Sequence, residues 1–529
     1  MKRKLFFLLF FMIFTAGLGA HTVHEPNSEI YKDIDIWFVR GYITEFLPLV
    51  RPYPVKLIDK ILLQVIENGD ASAQEKASEY RDALAPGSRF LHPGVMGYFQ
   101  GNDNDNSFII APFAEGLFYA RNLFSVSYNT TFYVVSDADG ERFNVPGTYS
   151  PYPDLVHSGA DAGNLQILQN WTNLTAIGNS DIYLQAGLSR SSFGPFYDNG
   201  IIIGSQAPRA GHFSFVFWDP LWSYEVLFQT LVATDDFGAD RFTSKYSVIH
   251  ALNYRPVKKI ELGFVQSIVY GQRIDPLYFV PFTFLFIAQA NHGFQDNVLL
   301  GLNFRWRPFN TFLVNTQIYI DDMHFTNLFS GSFQAKAAGE IGVSWAPEKS
   351  FLAKLDFDYT AVLPYMYTHW NEPMDNRYVN NKPNYLNYTH KGRNLGPDLQ
   401  PNSDRFSLRT VWQFLPNLDI NASAYFMRHG NASADKDGME NGLHDGSIFD
   451  DGFNDNNEVT FWETPPFLTQ SVIDMRLGGT ICVTWKIPSP FGVFKLMADY
   501  GAQYGWNRNL DKGNNGLDHF WSFGGMWSW

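Results

Sequence analysis

The chain has 529 residues, a formal net charge of −14, 17% aromatic and only 17% charged residues, and a single cysteine, Cys482. The acidic balance argues against nucleic acid as a partner, and one cysteine excludes a disulfide framework. No apolar run approaches the roughly 20 residues that a membrane helix requires, so a membrane-spanning reading rests on strands.

Lys2, Arg3 and Lys4 precede an apolar run over residues 5–14, followed by the small residues Ala16, Gly17, Gly19 and Ala20. This pattern predicts a cleaved export signal over residues 1–20. The run is too short to span a bilayer, and no cysteine stands at the cleavage site to accept a lipid.

Residues 21–88 read as a periplasmic helical segment. Ile36, Val39, Ile43 and Phe46 fall at helical spacing, and Val55, Ile58, Leu62 and Val65 repeat it after Pro52 and Pro54. Asn68-Gly69 stops that helix, and Ser72 with Glu75 predicts a capping box opening a third. Its buried face would be Ala73, Ala77, Tyr80 and Leu84, with Pro86-Gly87 as its end. The expectation is a small bundle over residues 33–86, standing outside the rest of the fold.

Residues 89–529 read as strands. In the clearest hairpin Val298, Leu300, Leu302, Phe304 and Trp306 share one face, with Asn297, Asn303, Arg305 and Arg307 on the other. The second arm sets Phe312, Val314, Thr316, Ile318 and Ile320 against Asn315, Gln317, Tyr319 and Asp321. Period-2 alternation means half-buried strands. A soluble sandwich also alternates, but the second face stays polar over many strands: Lys354, Asp356 and Asp358 in one, Asp474, Arg476, Thr480 and Thr484 in another. A wet or plugged lumen fits that better than a dry core.

Link lengths add an independent pattern. Counted back from the C-terminus, 487–491, 415–417, 347–350, 308–311, 255–258 and 219–221 are short. They alternate with longer links at 507–517, 429–466, 363–403, 322–337, 271–296, 235–245 and 191–210. Outer-membrane barrels have short periplasmic turns and long outer loops. The predicted fold is an all-β, antiparallel transmembrane barrel of about eighteen strands with a small N-terminal α-helical bundle. Phe523-Gly524-Gly525-Met526-Trp527-Ser528-Trp529 alternates to a terminal aromatic, which resembles the closing strand of bacterial barrels. Residues 274–293, with Pro276, Phe279, Pro281, Phe282, Phe284 and Phe286, are too aromatic for a free outer loop. They are expected to fold inward or across the mouth as a plug, the alternative being a longer strand pair at an aromatic girdle.

Several stretches resemble the outer-membrane capsule-assembly family typified by Wzi. They are Ile36-Trp37-Phe38-Val39-Arg40 followed by Arg51-Pro52-Tyr53-Pro54, and Ser192-Phe193-Gly194-Pro195-Phe196-Tyr197-Asp198-Asn199-Gly200 followed by Gln206-Ala207-Pro208. Asp296-Asn297-Val298-Leu299-Leu300-Gly301-Leu302-Asn303-Phe304-Arg305-Trp306 and Tyr388-Thr389-His390-Lys391-Gly392-Arg393-Asn394-Leu395-Gly396-Pro397-Asp398 complete the set. The likeness is diffuse, covers most of the mature chain, and departs at Tyr53, where a Trp is frequent. It implies an eighteen-stranded barrel with a periplasmic helical bundle, outer loops occluding the lumen, and a lectin role toward capsular polysaccharide. Sugar specificity does not carry over.

A glycan would meet the outer loops first. Trp370, Tyr385, His390 and Arg393 in loop 363–403 are the candidate glycan-binding residues, since rings offer flat faces to sugar C–H groups and Arg matches hydroxyls or uronic acids. Packing of the loops into a lid is the commoner role for any one aromatic. Arg305, Arg307, Lys354, Asp356, Asp358 and Arg476 are expected to line the lumen. Loop 429–466 is acidic, with Asp451-Gly452-Phe453-Asn454-Asp455-Asn456-Asn457-Glu458; it lacks the EF-hand spacing and reads as solvated, the alternative being calcium that bridges it to an anionic polysaccharide. His212, His250, His292, His324, His369, His390 and His429 are scattered, so no metal centre is inferred. No G-x-S-x-G elbow marks a nucleophile, and no cofactor is expected.

The resulting expectation is a noncatalytic outer-membrane barrel that binds or anchors surface polysaccharide, with a porin or solute channel, or a surface adhesin, as alternatives. Its expected partners are outer-membrane lipid, surface polysaccharide and the barrel assembly machinery.

Overall fold

The computed structural model describes residues 23–85, 91–103, 106–120, 124–136, 161–162, 165–233, 244–291, 293–323, 335–369, 384–415, 417–431, 448, 467–490 and 492–528. The predicted export signal over residues 1–20 and the terminal Trp529 lie outside them, as does most of the acidic loop.

Eighteen strands form the wall. They are β1 (His92–Asn102), β2 (Asn106–Ala120), β3 (Phe124–Val135), β4 (Leu165–Gly178), β5 (Ile182–Ser189) and β6 (Ala210–Trp218). Then come β7 (Trp222–Val232), β8 (Ser244–Val257), β9 (Ile260–Gly271), β10 (Asn297–Phe309), β11 (Phe312–Met323) and β12 (Ala335–Trp345). The last six are β13 (Leu352–Val362), β14 (Ser403–Leu415), β15 (Leu418–Gly430), β16 (Ile473–Ser489), β17 (Gly492–Trp506) and β18 (Gly516–Ser528). Each pairs antiparallel with its neighbours in the chain, and β18 returns to β1 with Phe523 opposite Phe99, so the cylinder closes. Closure leaves no row of unpaired backbone groups at an edge.

The faces divide by chemistry. In β10 Arg305 is 3% exposed whereas Leu302 is 58% exposed; the polar face looks into the cylinder and the apolar face looks out. That is the arrangement of a membrane-spanning barrel and the reverse of a sandwich. Trp306, Trp345 and Trp485, with Phe309, Phe351 and Phe414, stand exposed near the short-turn end, where an aromatic girdle belongs. Short turns at 179–181, 219–221, 258–259, 310–311 and 346–351 gather at one end, and the described parts of the long links 190–209, 272–296 and 363–402 at the other.

Among the described residues three helices precede the wall: α1 (Glu29–Val39), α2 (Val55–Asn68) and α3 (Ala71–Ala83). α1 stops before Ile43 and Phe46. Gly41 takes φ +77°, and its N–H and that of Tyr42 donate to the carbonyls of Phe38 and Trp37, the Schellman pattern that ends a helix. Asp70, not Ser72, caps α3, its Oδ1 accepting from the Ala73 N–H at 2.9 Å, worth about 1 kcal/mol.

The helical region does not stand outside the barrel as expected. α2 grips the short-turn rim, Lys60 Nζ lying 3.0 Å from Asp181 Oδ1, and residues between α1 and α2 enter the lumen. Their aromatics pack against the inward-facing Tyr183, Val216, Trp218 and Leu313. Three short helices bury too little surface among themselves to cover Phe38, Phe46, Leu47 and Tyr53, so the barrel supplies the rest.

The aromatic segment 272–296 is also not a plug. It drapes over the outside of the wall, with α4 (Leu285–Ala290) in its middle. Its Tyr278, Leu285 and Ala288 pack on the outward-facing Tyr224, Val226, Val248, Ile268 and Tyr270. The strand-pair alternative does not hold either, because two prolines interrupt the segment and its backbone bonds within itself and to wall side chains.

Candidate functional site

The lumen is filled from both ends, and the two fillings meet. Val50–Arg51, arriving from the N-terminal segment, pairs antiparallel with Ser192–Phe193 from an outer loop. The Gly194 N–H donates to Leu49 O at 2.8 Å. The wall holds this junction through one carboxylate: Glu225 accepts from the N–H groups of Leu49 at 3.0 Å and Val50 at 2.9 Å, and from Asn253 Nδ2 at 3.1 Å.

Some inward-facing charges hold the same filling, and others pair with one another along the wall. Arg305 Nε donates to Glu261 at 2.6 Å and Nη2 to Leu47 O at 2.9 Å. Arg307 Nη2 donates to Phe38 O at 2.8 Å. Lys354 pairs with Asp356 at 2.9 Å, Arg409 with Asp358 at 2.6 Å, and Arg476 with Asp474 at 2.9 Å. Charges so desolvated persist only when paired. Between α1, the loop at Tyr197 and the inner wall remains a cavity of about 70 Å³ lined by Asp35, Arg51, Lys354, Asp356 and Arg409, room for a few waters rather than a sugar.

Above the junction, two outer loops lock together. Tyr367 Oη donates to Ile201 O at 2.6 Å, Tyr388 Oη to Ile202 O at 2.9 Å, and Gly204 N–H to Leu395 O at 2.9 Å. Ile201, Ile202 and Ile203 are wholly buried under this lid. The other side of the lumen is looser. Asn421, Ser423, Thr480, Cys482 and Asp499 face inward from β15, β16 and β17 and are only half-buried, so water reaches that wall.

Of the glycan candidates, Trp370 lies outside the described residues. His390 is buried, with Nδ1 accepting from the Val232 N–H at 2.9 Å and Nε2 donating to Arg209 O at 2.8 Å; both nitrogens are spent on tying the lid to the rim. The buried Tyr385 ring packs over Gly271, where any Cβ would strike it. Arg393 is different. Thr389–His390 and Arg393–Asn394 pair as a tiny hairpin, turned by Lys391 and Gly392 at φ 50° and 71°, and this tip holds Arg393 exposed on the outer face. Tyr385 and His390 thus belong to the scaffold behind the tip. Sequence reading missed Glu225 as the carboxylate that secures the plug; its signal was a carboxylate on the inward face of β7, which it shares with Ser223 and Gln229.

Among the described residues no group of histidines, cysteines or carboxylates is arranged to hold a metal. No family model matches the sequence, and no curated protein matches it. Among solved structures, the chain superposes on Wzi of Escherichia coli, described as an outer-membrane protein involved in group 1 capsule assembly and a carbohydrate-binding β-barrel. The TM-score is 0.58 at 13% identity, over 97% of this chain and 99% of that one. OccAB2 of Acinetobacter baumannii aligns at TM-score 0.44 and 10% identity over 83% and 97%, and OprD of Pseudomonas aeruginosa at 0.41 and 10% over 83% and 94%. At these identities the likeness is one of fold: the chain has the closed, eighteen-stranded, outer-membrane type of barrel with helices at its N-terminus.

Proposed function

We propose that the protein is a noncatalytic outer-membrane barrel that holds surface polysaccharide on its outer lid, with outer-membrane lipid around its wall and the barrel assembly machinery as the agent of its insertion. The observation that carries this reading is the junction of Val50–Arg51 with Ser192–Phe193 inside the lumen. A strand pair across the bore obstructs the broad path a general porin needs, and it braces the outer loops into a fixed surface. Fixed loops favour binding because little ordering entropy remains to be lost when a long polymer settles on them. The basic tip at Arg393 suits carboxylate- or phosphate-bearing sugars. The Wzi barrel, described as carbohydrate-binding, supports the reading by its fold.

The test is binding of purified acidic and neutral capsular polysaccharides to the detergent-solubilised protein. Saturable binding of an acidic polymer bears the proposal out, and no binding to any surface glycan sinks it. A second reading, a narrow solute path, draws on the half-buried wall of β15 to β17. Large steady currents in planar bilayers would favour it over the plugged lectin.

A further inference from the structure

Residues 272–296 leave the outer end of β9 and descend the outside of the wall. Phe284 reaches Phe264, their ring centroids 6.3 Å apart, and Phe264 lies seven residues below Gly271 on β9. At 3.3 Å per residue that is about 23 Å along the strand, or about 17 Å of depth at the usual tilt. The segment therefore runs well into an apolar band roughly 25 Å tall.

Irregular chain in hydrocarbon is disfavoured because its backbone groups find no water. Here the wall supplies the partners. Tyr224 Oη accepts from the Phe282 N–H at 2.6 Å and donates to His250 Nδ1 at 2.9 Å, while His250 Nε2 donates to Tyr278 O at 2.9 Å. Gln266 donates to Thr283 O at 2.5 Å and accepts from the Leu285 N–H at 2.8 Å. Pro276 and Pro281 bring no N–H at all. The N–H groups of Val280, Thr283, Ile287, Ala288, Asn291, Gly293 and Phe294 bond within the segment. His250 and Gln266 are themselves polar residues on a lipid-facing surface, and the strap is what satisfies them.

The strap's outer face carries the same chemistry as the bare wall beside it. Ile274, Val280, Phe282, Phe284, Phe286, Ile287 and Phe294 are exposed, Ile287 at 63%, and flank wall residues such as Leu252, Leu262 and Leu302 that are exposed likewise. At its upper end Arg273 pairs with Asp296, and Tyr278 Oη donates to the same carboxylate at 2.6 Å, which sets a polar clamp at headgroup level.

We infer that segment 272–296 is a membrane-embedded outer loop whose exposed face contacts the acyl chains of the surrounding lipid. It doubles the wall over β7 to β10.

The experiment places nitroxide labels at Phe286→Cys and Ile287→Cys in a Cys482→Ser background, reconstituted in phosphatidylcholine vesicles. Collision with oxygen, which concentrates in lipid, is compared with collision with a water-soluble nickel chelate. Labels at Leu302→Cys on the bare wall and Asp511→Cys in an outer loop serve as references. The expected result is an oxygen preference at both strap positions matching Leu302→Cys. Nickel access like that of Asp511→Cys overturns the inference, because the strap would stand in water. Low access to both reagents overturns it too, because protein would cover the patch. Val280→Cys and Phe294→Cys offer a second pair should either label disturb assembly, which heat-modifiable migration reports.

Discussion

Arg51, carried into the lumen by the N-terminal segment, places its guanidinium carbon 3.5 Å from the centroid of the Tyr197 ring, which belongs to an outer loop. Its Nη1 also donates to Asp35 of α1 at 3.0 Å. One side chain thus links the N-terminal filling to the lid. Replacing it by Ala strands Asp35 and frees the loop. A broken buried pair costs on the order of 3 kcal/mol; water reaches part of Asp35, whose side chain is 27% exposed, which lowers this to about 2 kcal/mol. Chemical unfolding in detergent measures it. Arg51→Lys recovers little of the loss, since an ammonium does not stack on the ring and form the fork to Asp35 together.

Glu225 is the second brace. A Glu225→Gln side chain keeps one acceptor where Leu49 and Val50 present two N–H groups, so one donor is left in a dry site at a cost of about 2 kcal/mol. The expected signature is local: faster proteolysis within residues 45–55 and intermittent currents in planar bilayers, with the barrel still resistant to detergent. Unchanged proteolysis and silence in the bilayer would refute this role.

His24 makes the seating of the N-terminal segment sensitive to acid. Its Nδ1 lies 2.8 Å from Ser127 Oγ on the inner wall, and burial, with the Arg209 guanidinium close by, pushes its pKa down to about 3. Glu25, which pairs with Arg209 at 3.3 Å, is the neighbouring carboxylate. A displaced His24 regains its ordinary value of 6.5 and takes up a proton that the seated one refuses. Its contribution to seating is therefore whole above pH 6.5 and is lost progressively as pH falls from 6.5 toward 3. Hydrogen exchange of residues 23–40 at pH 7.5 and pH 5 should show the loosening, and His24→Asn should remove that part of the pH dependence.

Arg393 tests the binding face. Arg393→Ala should leave thermal stability unchanged, because the side chain is exposed and its hairpin is held by backbone pairing. Affinity for an acidic polysaccharide should fall up to about fivefold, the 1 kcal/mol that an exposed ion pair contributes, and the difference should shrink in high salt. Equal affinity at low salt would remove the tip from the site.

Alternation in residues 297–321 and the rhythm of short and long links were enough to read the barrel, its polar interior and its eighteen strands. Period 2 is a local property, since each residue declares its face by its own position in the pleat. What no local pattern carries is the destination of chain that is not strand. Phe282 and Phe284 are as apolar over a lumen mouth as against a lipid-facing wall, and only the partners His250, Gln266 and Tyr224 decide between them. His250 and Gln266 were the legible trace, polar residues at outward positions of β8 and β9. Likewise His390 reads from sequence as a hand for sugar until Val232 and Arg209, far away in the chain, claim both its nitrogens. Strand identity follows from neighbours in sequence; the filling of the bore, the outer strap and the roles of single polar side chains follow from neighbours in space, because a buried polar atom takes whatever partner the closed cylinder brings within reach.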